Sequence, residues 1–320
     1  MRVDSSPVLP ERYRLIEELG EGATCTVYKA DDQMLGHPVA IKVVRTNLAI
    51  HARFRARFDR EVALSAYVIH PRVIPVYDAG RLEDGRPFVT LACADSGSLS
   101  DLLGTQPTMT EALRLMDQVL EALSAMHALG LLHQDLKPAN VLLHQRNHWE
   151  PYGQVDAWVA DLGVAGAVTE LALHQKGISG TPTWIAPEQR DGRYAELGPW
   201  TDLYAVGLML FEILGGDRRN KAGKRQVLTQ LPKGPLGLMD DVPIALENVV
   251  RNLLDPDPRQ RYDRAADVRR ALRSALIDTE LTLRAAPQAG GQVGQSFSEV
   301  ILPEGMDALT AAPAVNVPET

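Results

Sequence analysis

His133-Gln134-Asp135-Leu136-Lys137-Pro138-Ala139-Asn140 gathers a carboxylate, an amine and an amide within six positions, and a second carboxylate follows in Asp161-Leu162-Gly163. Such a set suits the movement of a phosphoryl group from a metal-bound nucleotide to a hydroxyl. Asp135 can orient the hydroxyl and accept its proton. Lys137 can neutralise the travelling phosphoryl oxygens, and Asn140 and Asp161 can hold magnesium against a triphosphate. The competing reading is a polar loop between helices with chance spacing. It loses ground as further motifs of the same chemistry follow in order.

The spacing resembles the catalytic loop of the eukaryotic-like (Hanks-type) protein kinases, whose pattern is H-R-D-x-K-P-x-N. Lys137, two residues after Asp135, resembles the serine/threonine-directed members rather than the tyrosine-directed ones. Gln134 departs from the pattern. Arg is usual there and pairs with a phosphate on the activation loop, a charge-assisted bond that Gln cannot form. Activation is therefore expected not to require loop phosphorylation strictly.

Bulk properties fit this reading. The chain has 320 residues, 45% of them apolar, enough for one large two-lobed domain or two small ones. A net charge of -8 argues against a chain-wide nucleic-acid role, which needs a basic field. Cys25 and Cys93 make neither a disulfide framework nor a metal-ligand cluster. The longest apolar candidate, Leu203 to Leu214, is interrupted by Gly207 and Glu212 and is too short to span a bilayer. The N-terminus lacks the apolar segment of a signal peptide. The expected location is a reducing compartment, the cytoplasm.

Residues 1–12, with Ser5-Ser6-Pro7 and Pro10, read as a short leader. Val27-Tyr28-Lys29-Ala30 and Val39-Ala40-Ile41-Lys42 are β-prone and separated by turn-like residues. Residues 51–69 have helical composition and stop at Pro71, and Val73 to Leu91 returns to short strands around Glu83-Asp84-Gly85. Beyond residue 95, Ala, Leu and Met recur at helical spacing over Glu111 to Leu129, Leu203 to Leu214, Ile244 to Leu254 and Ala265 to Leu276. From Leu281 the chain is rich in Ala, Pro and Gly with a single Arg and no Lys, which reads as a flexible tail over 281–320. The resemblance then implies an α+β, bilobal protein kinase-like fold. A small, mostly antiparallel β lobe with one helix (13–94, hinge included) joins a larger, mainly helical lobe (95–276).

Leu19-Gly20-Glu21-Gly22-Ala23-Thr24-Cys25-Thr26-Val27 resembles the family's glycine-rich loop, with Cys25 at the third glycine position. Gly20 and Gly22 let backbone amides approach phosphates. Lys42 closes the family's V-A-I-K and is expected on the α- and β-phosphates. Glu61, on the following helix, is its expected acidic partner, with Asp59 and Glu17 as chemical substitutes. The resemblance implies an adenine pocket from Leu19, Val27, Ala40, Ala92, Ala94 and Leu142, with Phe88 to Ala94 as the hinge. Arg53, Arg57 and Arg60 read as a solvated helix face. Cys25 and Cys93 border the pocket in this alignment and read as small lining residues, with a redox or alkylation switch as the sharper alternative.

In the second lobe, Gly180-Thr181-Pro182-Thr183-Trp184-Ile185-Ala186-Pro187-Glu188 resembles the end of an activation segment. Thr181 is implied to bond to the catalytic Asp and Lys. Thr169, Ser179 and Thr183 are candidate autophosphorylation sites. Glu188 is expected to pair with Arg261, and Asp202 to brace the catalytic-loop backbone. His144 and His148 read as solvated loop histidines rather than metal ligands. Gly215-Gly216-Asp217-Arg218-Arg219-Asn220 lacks the family's usual Pro-Phe turn. The implied function is ATP- and Mg²⁺-dependent phosphorylation of protein Ser/Thr hydroxyls, with autophosphorylation, a signalling role and a homodimer through the kinase domain among the expectations. Two alternatives stay open: a pseudokinase or nucleotide-binding scaffold without turnover, and a small-molecule phosphotransferase on a related fold.

Overall fold

The structure, a computed structural model, describes residues 7–105, 107–145, 155–161, 183–218, 228, 231 and 234–285; the side chains of Arg53, Arg57, Glu61 and residues 276–285 lie outside that description. The N-terminal part is a five-stranded antiparallel sheet in the order β1-β2-β3-β5-β4, built from β1 (Tyr13–Glu21), β2 (Cys25–Asp32), β3 (His37–Val44), β4 (Val76–Arg81) and β5 (Pro87–Ala92). Central β3 is buried on both faces from Val39 to Val44, which explains its unbroken apolar run and leaves Lys42 as the one charged group inside it. Two helices follow β3: the short α1 (Thr46–Ala49) and α2 (Ala52–Tyr67). α2 presents Phe58 to a cluster of Cys25, Val44, Ala49 and Val89, so the helix is fastened to the strand that carries Lys42.

The second lobe is helical: α3 (Leu99–Leu103), α4 (Met109–Ala128), α5 (Pro187–Arg190), α6 (Pro199–Ile213), α7 (Ile244–Leu253) and α8 (Ala265–Ala285), with one hairpin of β6 (Val141–Gln145) and β7 (Val155–Val159). α4 starts at the Thr108 cap, whose hydroxyl accepts from the Glu111 amide. α6 is the core element. Its residues from Thr201 to Phe211 are buried all round, as expected for a helix enclosed by others. Gly207 permits that enclosure, since a Cβ there would lie 2.7 Å from the Leu253 Cβ on α7.

Backbone bonds join the lobes directly. The Ile74 amide donates to the Val159 carbonyl at 3.0 Å, and the Val159 amide to the Arg72 carbonyl at 2.8 Å. Arg72 then pairs with Asp156 at 2.7 Å, and the same carboxylate accepts from Gln118 on α4 at 2.8 Å. The segment after α2 is thereby tied to the large lobe beside the hairpin.

Three features differ from the sequence reading. α8 continues to Ala285, past Leu276 and past Leu281 where composition placed the start of the tail; no Pro or Gly interrupts the chain until Pro287. His144 is not a solvated loop residue. It lies in β6, its ring stacked on Trp158 at 3.6 Å between centroids, and burial lowers its pKa (His148 lies outside the described residues). The segment before Tyr13 is also anchored: Leu9 packs on the sheet, and Arg12 donates from Nε to both oxygens of buried Asp32 at 2.9 and 3.0 Å.

That pairing yields a pH prediction. The Arg12 hydrogen bond outweighs burial and, with the Met34 and Leu35 amides, lowers Asp32 from 3.8 to about 2. A folded-state value below the unfolded one stabilises above the unfolded value and is lost as pH falls through the folded one. The stability difference between wild type and Asp32→Asn is therefore expected to be constant above about pH 5 and to shrink steadily toward pH 2. Urea midpoints across that range check it; a difference that stays constant down to pH 2 would remove Asp32 from the acid transition.

Candidate active site

Lys42, on β3, donates from Nζ to Asp161 Oδ1 at 2.6 Å. Burial alone would pull the Lys42 ammonium down, but Asp161 outweighs it and the pKa ends above its ordinary value. Burial would likewise raise Asp161, yet Lys42 overrides it and the carboxyl ends below its usual range. Both groups are therefore charged. The field of Asp135 also reaches Lys42, and those of His133 and Lys137 reach Asp161. Residues separated by more than a hundred positions share one electrostatic site.

The loop between α4 and β6 supplies the rest. Lys137 Nζ donates to Asp135 Oδ2 at 2.7 Å. Asn140 Nδ2 donates to the Asp135 carbonyl at 2.8 Å and to Asp135 Oδ2 at 3.2 Å, so the oxygen of its amide is the end offered to a cation. The Ala160 amide donates to the Asn140 carbonyl at 2.9 Å, joining the loop to the residue before Asp161. Gln134 (φ 63°) and Asp161 (φ 62°) are the two non-glycine residues with positive φ among those described. Strained backbone persists only where its surroundings over-determine it. At Gln134 these are visible: its amide donates to Asp202 Oδ1 at 2.8 Å, and its carbonyl accepts from Gln189 Nε2 at 2.9 Å. Fully buried Asp202, in the first turn of α6, also accepts from the His133 amide and from His127 Nε2, each at 2.8 Å. It braces the loop, as the family resemblance implied.

The remaining predicted residues divide into three groups. Gly20 lies near the end of β1 and Gly22 opens the β1–β2 turn, where its amide donates to the Cys25 carbonyl at 2.8 Å; Leu19 is exposed and Val27 half-buried. Ala40 and Ala92 are buried, while Ala94 and Leu142 are half-buried on the segment and hairpin that join the lobes. Glu61 lies on α2 with its side chain outside the description, and Thr181, Leu162, Thr169 and Ser179 fall outside the described residues. Among the described side chains, the carboxylate that Lys42 meets is Asp161. The proposed substitutes serve elsewhere: Asp59 pairs with Arg81 at 2.6 Å, and Glu17 lies 3.9 Å from Lys29. Cys25 is buried and Cys93 half-buried, neither in a disulfide, and burial raises the Cys93 pKa, which disfavours the reactive thiolate.

Glu188, on α5, accepts from Arg261 Nη1 at 2.9 Å and Nη2 at 3.0 Å, with both side chains fully buried. Sequence reading anticipated this pair. It missed Gln189, whose bond to the Gln134 carbonyl links α5 to the catalytic loop, because no local pattern marks a side chain that caps a distant carbonyl.

The donor set fits a hard divalent cation bound together with phosphates: a carboxylate oxygen at Asp161 and an amide oxygen at Asn140, with no protein cage required. Among the described residues no cluster of three or more His, Cys, Asp or Glu could hold a metal, and no helix is long and apolar enough to cross a membrane.

Comparison with known proteins agrees with this geometry. The chain is 31% identical over 287 residues to the probable serine/threonine-protein kinase PknB of Lactococcus lactis, covering 87% of this chain and 43% of that protein. It is 32% identical over 273 residues to the serine/threonine-protein kinase Pkn1 of Myxococcus xanthus, covering 83% of this chain and 38% of that protein. The chain thus spans less than half the length of these relatives. The crystal structure of the Mycobacterium tuberculosis PknI kinase domain superposes with a TM-score of 0.64 at 24% identity, covering 85% of this chain and 99% of that one, a likeness of fold. The family model described as the protein kinase domain matches residues 13–272, and with it this chain belongs to the protein kinase family.

Proposed function

We propose that this chain is a serine/threonine protein kinase that transfers the γ-phosphoryl group of ATP, as its Mg²⁺ complex, to Ser or Thr hydroxyls of proteins. The observation that carries the proposal is the convergence of Lys42, Asp135, Lys137, Asn140 and Asp161 around one site, with hydrogen bonds linking Lys42 to Asp161 and Asp135 to both Lys137 and Asn140. Bound Mg-ATP would supply the phosphoryl group and the charge neutralisation of its own phosphates. The protein's side chains do the rest. Asp135 Oδ2 orients the acceptor hydroxyl and takes its proton. Lys137, beside it, offsets charge on the transferring oxygens. Asn140 and Asp161 would hold the metal, Lys42 and the Gly20–Gly22 amides the phosphates, and Leu19, Val27, Ala40, Ala92, Ala94 and Leu142 the base. Glu61 would orient Lys42 once it leaves Asp161, and Thr181 would align the acceptor. Residues 13–276 form the catalytic domain in this reading, with the tail beginning only after α8 ends at Ala285. The names of the relatives support a protein acceptor.

Incubation with Mg-ATP and a generic protein substrate, followed by phosphosite mapping, tests the proposal. Phosphoserine and phosphothreonine that depend on Asp135 are expected. Nucleotide binding without Asp135-dependent transfer would identify a scaffold instead, and transfer to metabolites alone a small-molecule phosphotransferase.

Loop phosphorylation is expected to be dispensable, because residue 134 is a glutamine whose backbone is already held by Asp202 and Gln189. Replacing Thr169, Ser179 and Thr183 with Ala should keep kcat within about threefold of wild type, since no charge-assisted pair is lost. Loss of activity in a folded triple variant would show that the loop needs its phosphates.

A further inference from the structure

The chain reverses after α6 through Gly215, whose φ of 93° suits glycine, and returns along the helix so that Arg218 lies beside Glu212. This is the stretch that lacks the family's Pro-Phe turn. The Arg218 side chain is 1% exposed. Its Nε and Nη2 donate to Glu212 Oε1 at 3.0 and 2.7 Å, and its Nη1 donates to the Thr183 carbonyl at 2.7 Å. Its guanidinium carbon sits 4.5 Å from the centre of the Trp184 ring. One planar fork therefore joins three things: the carboxylate near the end of the core helix, a backbone carbonyl and an aromatic face. The last two belong to the segment that follows Thr181.

A buried ion pair alone would require only the Glu212 contact. The other two contacts spend the donor and the flat face of the guanidinium on a segment with little regular structure of its own, between the last residue left undescribed, Pro182, and α5. Arg suits this arrangement and Lys does not, because an ammonium offers no fixed fork and no plane to stack.

We propose that Arg218 is a positioning residue for the protein acceptor: it clamps Thr183 and Trp184 to the end of α6 and so sets the wall against which the acceptor peptide lies. The clamp rests on the kinase reading above and extends it to the acceptor side. It supplies from within the fold an order that a phosphorylated loop would otherwise impose, in keeping with Gln134.

Arg218→Lys keeps the charge facing Glu212 and removes the fork; the double variant Arg218→Met/Glu212→Leu removes both charges and leaves neither buried alone. In both variants, kcat/KM for a peptide acceptor should fall about tenfold or more, the scale of a lost hydrogen bond to a charged group. The KM for ATP should stay within about twofold, a split that general destabilisation would not produce. Amide hydrogen exchange at Trp184 and Ile185 should accelerate while α6 stays protected. Unchanged acceptor kinetics in either variant, or equal losses for ATP and acceptor, would overturn the clamp, as would unaltered exchange at Trp184. Wild-type protein inactive toward every protein acceptor would fail the kinase reading itself, and the wild-type control shows which of the two has failed.

Discussion

Asp135→Asn is expected to lower phosphoryl transfer by about 10²–10⁴-fold, the usual contribution of a positioned general base, while ATP affinity changes by no more than about threefold. The two halves of this expectation come from different bonds. Asparagine matches aspartate in size, so the Asp135 carbonyl can keep its bond from Asn140 Nδ2 and the loop its brace on Asp202. The substitution removes an anionic oxygen that Lys137 and Asn140 now face with donors at 2.7 and 3.2 Å. An amide at that point cannot take the acceptor proton, and it weakens the hold on Lys137. The groups assigned to the nucleotide, Lys42 and Asp161, keep their 2.6 Å contact in the free protein, because neither bonds directly to Asp135. Steady-state kinetics with a protein acceptor, paired with calorimetric titration of Mg-ATP, separates the effects. A kcat within about threefold of wild type would exclude Asp135 as the base.

The chemistry was legible in the sequence because it demands particular residue types at fixed offsets. Asp135, Lys137 and Asn140 fall within one turn of loop, so their spacing survives as a local pattern. The role of Asp202 was implied by the family resemblance of the run Thr201 to Gly207, which opens a helix whose apolar run is plain. What escaped were pairings set by tertiary approach. Arg72, Gln118 and Asp156 meet across three elements, and nothing near any of them in sequence announces the other two. Arg218 lies in the stretch that lacks the Pro-Phe turn, and no local pattern marks its burial, which follows from Gly215 folding it back against α6. Helix ends were also hidden. α8 runs to Ala285 since composition shifts before any residue appears that would stop a helix. The further contact of Lys42 with Asp161 depends on the conformation around Asp161, whose backbone has a positive φ. Sequence spacing carries no record of that torsion.

Truncating Arg261 to Ala is expected to cost about 3–5 kcal/mol of stability, the range for breaking a buried pair and leaving one charge behind. The site shows why the value belongs in this class and not among surface pairs, which contribute about 0–1 kcal/mol. Neither side chain is exposed, and the guanidinium has no idle face. Its Nη1 and Nη2 serve Glu188, Nε donates to the Asp255 carbonyl at 2.7 Å, Nη1 also meets the Trp200 carbonyl at 3.2 Å, and the Tyr204 ring lies 4.7 Å from its carbon. In Arg261→Ala the Glu188 carboxylate would keep, among the described residues, the Thr201 hydroxyl at 2.9 Å, and two carbonyls would lose a donor. Glu188→Leu/Arg261→Met should be less destabilised than the sum of Glu188→Ala and Arg261→Ala, because it orphans no charge. Urea unfolding midpoints with unchanged m-values measure the three variants against wild type. A cost below about 1 kcal/mol for Arg261→Ala would place the pair with ordinary surface bridges. High salt should barely alter the effect, since ions do not enter the contact. Activity should fall with stability in the single variants, because Glu188 anchors α5, and α5 carries the Gln189 that holds Gln134 in its strained conformation beside Asp135.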